Sequence, residues 1–181
     1  MQHRKRFVTI GGFFILFCLC FSIFYSLFRS RAEERPTQSS LPEAVLNQPL
    51  PQSSLTELSG AVLSDNELRR GKVMLVLATS ECPLCLDESR FLSTVMDKRD
   101  DIRFYGVIPY GTDREVLKEA ANKFPFKMFF DEGYRLRRAL KINRVPVKIY
   151  LEDGIIKKTW IGSTTFFHAE AEFGKWLESL D

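Results

Sequence analysis

The chain has 181 residues, 45% of them hydrophobic and 27% charged, with a net charge of +3. That composition excludes a disordered or low-complexity protein and leaves room for one ordinary domain plus extra segments. Five basic residues and no acid lie within residues 1–31, so the remaining 150 carry a net −2; a soluble part with that balance shows no nucleic-acid footprint.

Residues 7–28 contain no charged side chain and hold seven of the 16 phenylalanines. The run is long enough for a membrane-spanning helix of ~20 residues. A cleaved signal peptide would have a shorter apolar core and small residues at a cleavage site. Here Leu27-Phe28-Arg29-Ser30-Arg31 follows, so an uncleaved anchor is expected. Arg4, Lys5 and Arg6 before the span outweigh Arg29 and Arg31 after it, which Glu33 and Glu34 dilute. The bias places residues 1–6 in the cytoplasm and the rest of the chain across the cell membrane. Disulfides persist in such a compartment. Cys18 and Cys20 fall inside the span and face lipid or a neighbouring helix.

Residues 29–52 are polar, with Pro36, Pro42, Pro49 and Pro51, and read as a tether. Residues 41–50 are candidates to pack on the edge of the domain that follows, residues 53–181. Residues 58–63 suggest a turn and a short strand, and 65–70 a helical turn closed by Gly71. Residues 73–78 are a continuous apolar run, as in a strand buried on both faces. Residues 86–96 have helical spacing, with Phe91, Leu92, Val95 and Met96 facing inward. Residues 102–109 read as a second buried strand. Thr112 to Glu115 has the form of a capping box, opening a helix to about 124. Residues 126–130 form a short strand and 133–141 a short helix. Residues 145–151 alternate like a strand, Asp153-Gly154 is a hairpin turn signal, and 155–161 is the partner strand. Thr164 or Thr165 caps a last helix with Phe173, Trp176, Leu177 and Leu180 on one stripe. Strands alternating with helices predict an α/β domain, a mixed sheet with helices on both faces.

Between the first buried strand and its helix lies Thr79-Ser80-Glu81-Cys82-Pro83-Leu84-Cys85. Cysteines at i and i+3 share a helix face and fall within disulfide reach. A thiol at a helix N-terminus is stabilised as thiolate by unpaired N–H groups and the helix dipole. The same spacing also suits two structural cysteines or half of a zinc site.

The strand, the C-x-x-C helix and Val145-Pro146 opening a hairpin resemble the thioredoxin fold. The closer resemblance, over about residues 50–180, is to the membrane-tethered TlpA/ResA-like (redoxin) thiol–disulfide oxidoreductases. Leu68-Arg69-Arg70-Gly71-Lys72 resembles that family's lead-in to the first strand. Cys82-Pro83-Leu84-Cys85-Leu86-Asp87-Glu88 resembles its C-x-x-C-x-x-E. The βα unit over 101–132 resembles its insertion, and Val145-Pro146 its cis-proline site. The resemblance implies a redox-active Cys82–Cys85 disulfide, with Cys82 as nucleophile and Cys85 as resolving thiol. It implies an acid at Glu88 that tunes the thiols, a cis Pro146, and a Val145 backbone that pairs with an extended substrate. The expected partners are proteins with cysteine pairs, reduced by this chain, with no cofactor and no metal. The chain departs from the family in three places. Pro83 follows the first cysteine instead of preceding the second, Glu81 replaces a tryptophan, and Val76 replaces thioredoxin's buried acid.

Two other readings compete. Thr79-x-x-Cys82 matches the peroxiredoxin T-x-x-C, with Arg144 as a candidate near the thiolate, although Leu75 stands where that family has proline. A tethered copper- or zinc-binding module would use both thiols, with only His3 and His168 as further Cys or His donors outside the span. His168 reads first as a packing residue, and Glu88 has a bland reading as a solvated helix acid. Arg137, Arg138, Lys141 and Arg144 read as solvated cations or as a positive field near Pro146.

Overall fold

A computed structural model describes residues 45–109, 114–165 and 167–180. The predicted anchor at 7–28, Cys18, Cys20, the capping residues Thr112 and Asp113, and the side chain of His168 lie outside the described residues. Among the described residues no helix is long and apolar enough to cross a membrane.

The elements run β1 (Leu55–Thr56), α1 (Asp65–Leu68), β2 (Lys72–Leu77), α2 (Pro83–Met96), β3 (Ile102–Ile108), α3 (Arg114–Lys123), β4 (Lys127–Asp131), α4 (Arg135–Ala139), β5 (Val147–Glu152), β6 (Ile155–Ile161) and α5 (Phe167–Glu178). A 3-10 turn, Glu132–Tyr134, leads into α4. The six strands form one mixed sheet in the order β1-β4-β3-β2-β5-β6. Strand β2 is parallel to β3 and antiparallel to β5, and β3 is parallel to β4. The stretch 101–132, expected as a βα unit, contains β3, α3 and β4, with β4 outside β3 in the sheet.

The apolar run of β2 covers both faces because its residues alternate between two cores. Met74 and Val76 pack with Leu92 and Val95 of α2, Leu117 and Ala120 of α3 and Phe173 of α5. Val73, Leu75 and Leu77 pack with Leu68 of α1 and Leu136 of α4. Helices therefore cover both faces, the arrangement a sheet buried on both sides requires.

Two expectations shift in detail. The short strand near 58–63 lies earlier, at Leu55–Thr56, and Val62 only bridges to Thr56. The predicted helix over 133–141 is α4, five residues long; Tyr134 before it has φ 56 and the carboxylate of Asp131 accepts the N–H groups of Leu136 and Arg137. On the sheet's other edge the tether's end joins the domain. Asn47 N–H donates to Ile156 O, Leu50 N–H to Gly154 O, and Leu50 is buried in the second core. Asp153 and Gly154 take the positive φ values, 49° and 78°, that a two-residue hairpin turn needs.

Candidate active site

Strand β2 delivers the site. Its last residue, Leu77, pairs with Val107 of β3 on one side and Val147 of β5 on the other. The chain then leaves the sheet through Thr79-Ser80-Glu81 and enters α2. Pro83 sits in the first helical turn, where a missing N–H costs nothing. Cys82 is the N-cap residue, with an extended backbone, and its sulfur accepts the Cys85 N–H at 3.2 Å. The first turn contains no acid, so the positive end of the helix faces Cys82 without a neutralising neighbour on α2.

Cys82 and Cys85 are joined in a disulfide, with Cα atoms 5.2 Å apart. The two sulfurs differ in access. Cys82 is half-buried, whereas Cys85 is 1% exposed and part of the first core. Leu84, between them, is 45% exposed, and Pro83 and Glu81 are exposed as well. An open apolar shelf therefore adjoins the accessible sulfur. The Val145–Pro146 bond is cis. Pro146 is buried, and its carbonyl accepts the N–H of Gly162 at 2.8 Å. Val145 is half-buried and touches both cores, which places it at the end of the sheet where they meet. Cys82 packs on the first of those cores too.

Glu88 is not a solvated helix acid. It is 0% exposed, one turn beyond Cys85 on the same face of α2. Its Oε1 lies 2.8 Å from the Nζ of Lys148, itself 0% exposed, and also accepts the Thr164 hydroxyl. Its Oε2 accepts the Ser163 hydroxyl at 2.9 Å and the Thr164 N–H at 2.6 Å. Lys148 also donates to Gly162 O at 2.9 Å. Burial pushes the Lys148 ammonium below the ordinary lysine range, against the pull of the Glu88 charge. Lys148 stands opposite Val76 across β2 and β5. The buried carboxylate beside Lys148 thus comes from α2 and not from β2.

The sequence singles out Cys82, Cys85, Glu88, Val145, Pro146 and Pro83 as candidates, but not Lys148, Ser163 or Thr164 as partners of Glu88. Alternation in 145–151 turns Lys148 outward on paper, yet a strand with both faces covered has no outward side. That was the available signal: a lysine there must find a counter-charge. The Thr164 hydroxyl serves Glu88, and the Thr165 hydroxyl meets that of Ser163 at 2.7 Å. Of the suggested cationic group, Arg137 donates to Ile142 O at 3.2 Å and Arg138 to Gly133 O, both local loop contacts, while Lys141 and Arg144 are exposed. Among the described residues no three His, Cys, Asp or Glu side chains converge as metal ligands would.

Solved structures repeat this architecture. The chain matches the Mycobacterium tuberculosis (MTB) protein DsbF, at 19% identity and a TM-score of 0.59, over 73% of this chain and 96% of that one. It matches a candidate thiol:disulfide interchange protein DsbE from Chlorobium tepidum, at 17% identity and a TM-score of 0.63, over 75% and 98%. The domain has the thioredoxin fold. A third match is the thioredoxin domain of a thiol–disulfide oxidoreductase from Bacteroides vulgatus, at 18% identity and a TM-score of 0.58, over 71% and 96%. No protein-family model and no curated protein matches the sequence. In this thioredoxin-fold domain the disulfide lies at the end of β2, where a parallel and an antiparallel neighbour meet.

Proposed function

We propose that this chain is a membrane-anchored thiol–disulfide oxidoreductase that exchanges its Cys82–Cys85 disulfide with cysteine pairs of proteins outside the cytoplasm. The observation that carries the reading is the disulfide itself: one sulfur half-buried at a helix N-cap, the other 1% exposed beneath it. Solved proteins of the same fold that are described as thiol–disulfide oxidoreductases support it. The uncharged run at 7–28 supports the anchor, and the basic residues before it support the orientation.

The proposed direction is reductive. The Cys82 thiolate attacks one sulfur of a substrate disulfide, forms a mixed disulfide and expels the other sulfur as a thiolate. Cys85, deprotonated, then attacks the Cys82 sulfur, re-forms the internal disulfide and releases the second substrate thiolate. Two electrons pass to the substrate, and the expelled thiolates take up the two protons the dithiol lost. The Cys85 N–H and the helix end stabilise the Cys82 thiolate in both its attacking and leaving roles. Val145 and the Pro83–Leu84 shelf would hold an extended substrate segment beside Cys82. Leu75 stands where the peroxidase family has proline, which weighs against the peroxidase reading.

The test uses the full chain in detergent. Glutathione buffers should cycle Cys82 and Cys85 together as a two-electron couple, and Cys85→Ser should accumulate mixed disulfides on Cys82. Failure of the pair to equilibrate with either glutathione or dithiothreitol would overturn the reading. The measured potential sets the direction.

A further inference from the structure

Two exposed charges of opposite sign border the accessible sulfur, and neither has a partner among the described residues. On the α2 side, Asp87 pairs with Arg90 and Glu88 with Lys148, which leaves Glu81. Glu81 is exposed, and its side chain makes no ion pair or hydrogen bond. On the β5 side, no acid lies between Glu132 and Glu152. There Arg137 and Arg138 are engaged by the carbonyls of Ile142 and Gly133, whereas Arg144 is exposed and unpaired. Both charges stand where β2 and β5 leave the sheet at one end, beyond the Leu77–Val147 pair. Glu81 is next in the chain to Cys82, and Arg144 is next to Val145. We propose that Glu81 and Arg144 determine which clients the disulfide exchanges with. The favoured client is an extended segment with a cationic residue beside its cysteine, facing Glu81, and an acidic residue where it lies along Val145, facing Arg144. The inference rests on the exchange reading above.

Its physical basis is proximity without burial. Consecutive Cα atoms are about 3.8 Å apart, so the Glu81 carboxylate cannot leave the approach to Cys82. Charges about 5–8 Å apart at an exposed site change an encounter roughly threefold, and salt screens the effect. Such charges govern partner choice and rate of encounter more than the chemistry that follows. Glu81 also acts on the Cys82 thiolate, so the rate with a single substrate mixes two effects. The ratio of rates for two substrates separates them, because the same thiolate attacks both.

The test uses the reduced full chain in detergent and three small disulfides: cystamine, which is cationic, oxidised glutathione, which is anionic, and hydroxyethyl disulfide, which is neutral. With each, the Cys82 thiolate attacks one sulfur, forms a mixed disulfide and expels a thiolate. Cys85 then releases the second thiolate, and two electrons pass to the probe. Loss of the dithiol is read by acid quenching and mass spectrometry. Glu81→Gln should lower the ratio of the cystamine rate to the glutathione rate by at least about threefold at low salt. Arg144→Gln should raise that ratio by at least about twofold. Both side chains are exposed and unpaired, so neither substitution disturbs packing. Hydroxyethyl disulfide reports the change in thiolate reactivity alone. Both shifts should vanish at 1 M salt, where the screening length falls to about 3 Å. Peptide dimers joined through one cysteine, with Lys or with Glu next to it, should show the same dependence on Glu81. A ratio unmoved in either variant, a shift that survives 1 M salt, or peptide dimers indifferent to Glu81 would overturn the proposal. Failure of all three small disulfides to oxidise the wild-type dithiol would sink the exchange reading instead.

Discussion

Cys82 and Cys85 are chemically the same side chain in two environments. Cys82 is half-buried at the N-cap; Cys85 is shut into the core by Leu92, Val95 and their neighbours. In the reduced protein, iodoacetamide should modify Cys82 at least about tenfold faster than Cys85, because reactivity follows thiolate character and access; peptide mass spectrometry reads the ratio. Glu88→Ala is a different kind of change. It leaves the Lys148 ammonium buried without its partner, so denaturant unfolding should show a loss of about 3–5 kcal/mol. The cysteines were legible because two thiols at a strand–helix junction stand out in the sequence. The burial of Glu88 was not, because Asp87 beside it on the same helix is exposed. What separates the two acids is the set of donors that 148–164 bring from elsewhere in the chain.

Among the elements, the strands were the most readable, since their apolar runs needed no partner to be recognised. Strand β3 also carries Gly106, opposite Met128 of β4. A Cβ at Gly106 would meet Met128 Sδ at 2.0 Å and the Phe126 ring at 2.8 Å. Gly106→Ala should therefore force both side chains aside and destabilise the domain by about 1–3 kcal/mol, measured from the midpoint of chemical unfolding. The hairpin at Asp153-Gly154 was plain from its two residues. What it touches was not: Asp153 accepts the Gly71 N–H at 2.7 Å and donates its own N–H to Gly71 O at 3.0 Å. Turn chemistry is local, but the docking of a turn is set by the packing of distant strands. The same division explains α4, whose short extent follows from the left-handed Tyr134 before it and the capping carboxylate of Asp131.

Across the whole domain, the sheet separates two apolar layers, and the aromatic residues gather on the side of α2. Trp160, Phe173, Trp176 and Tyr150 meet there, with centroids 4.5–5.4 Å apart. Burial first, and the Glu152 carboxylate second, push the Tyr150 phenol up from 10 to about 12. The unfolded chain would ionise this group near 10 and the folded chain only near 12. Its contribution is thus fully present below pH 10 and is lost as pH rises towards 12. The loss of stability over that window, of order 1–2 kcal/mol from this group, should shrink in Tyr150→Phe when urea unfolding is compared at pH 9 and pH 12.

The distances along the chain between Glu88 and its hydroxyl and N–H donors have a consequence in time. Ser163 and Thr164 follow Glu88 by 75 and 76 residues, whereas Cys82 and Cys85 are three apart. As a nascent chain is extruded, the two thiols emerge together and can pair while the carboxylate next to them still has only water for company. The disulfide is thus available early in biosynthesis, but its finished surroundings arrive only once Ser163 and Thr164 have followed. A ribosome that stalls before Ser163 would leave a chain that carries the reactive pair without the environment that governs it.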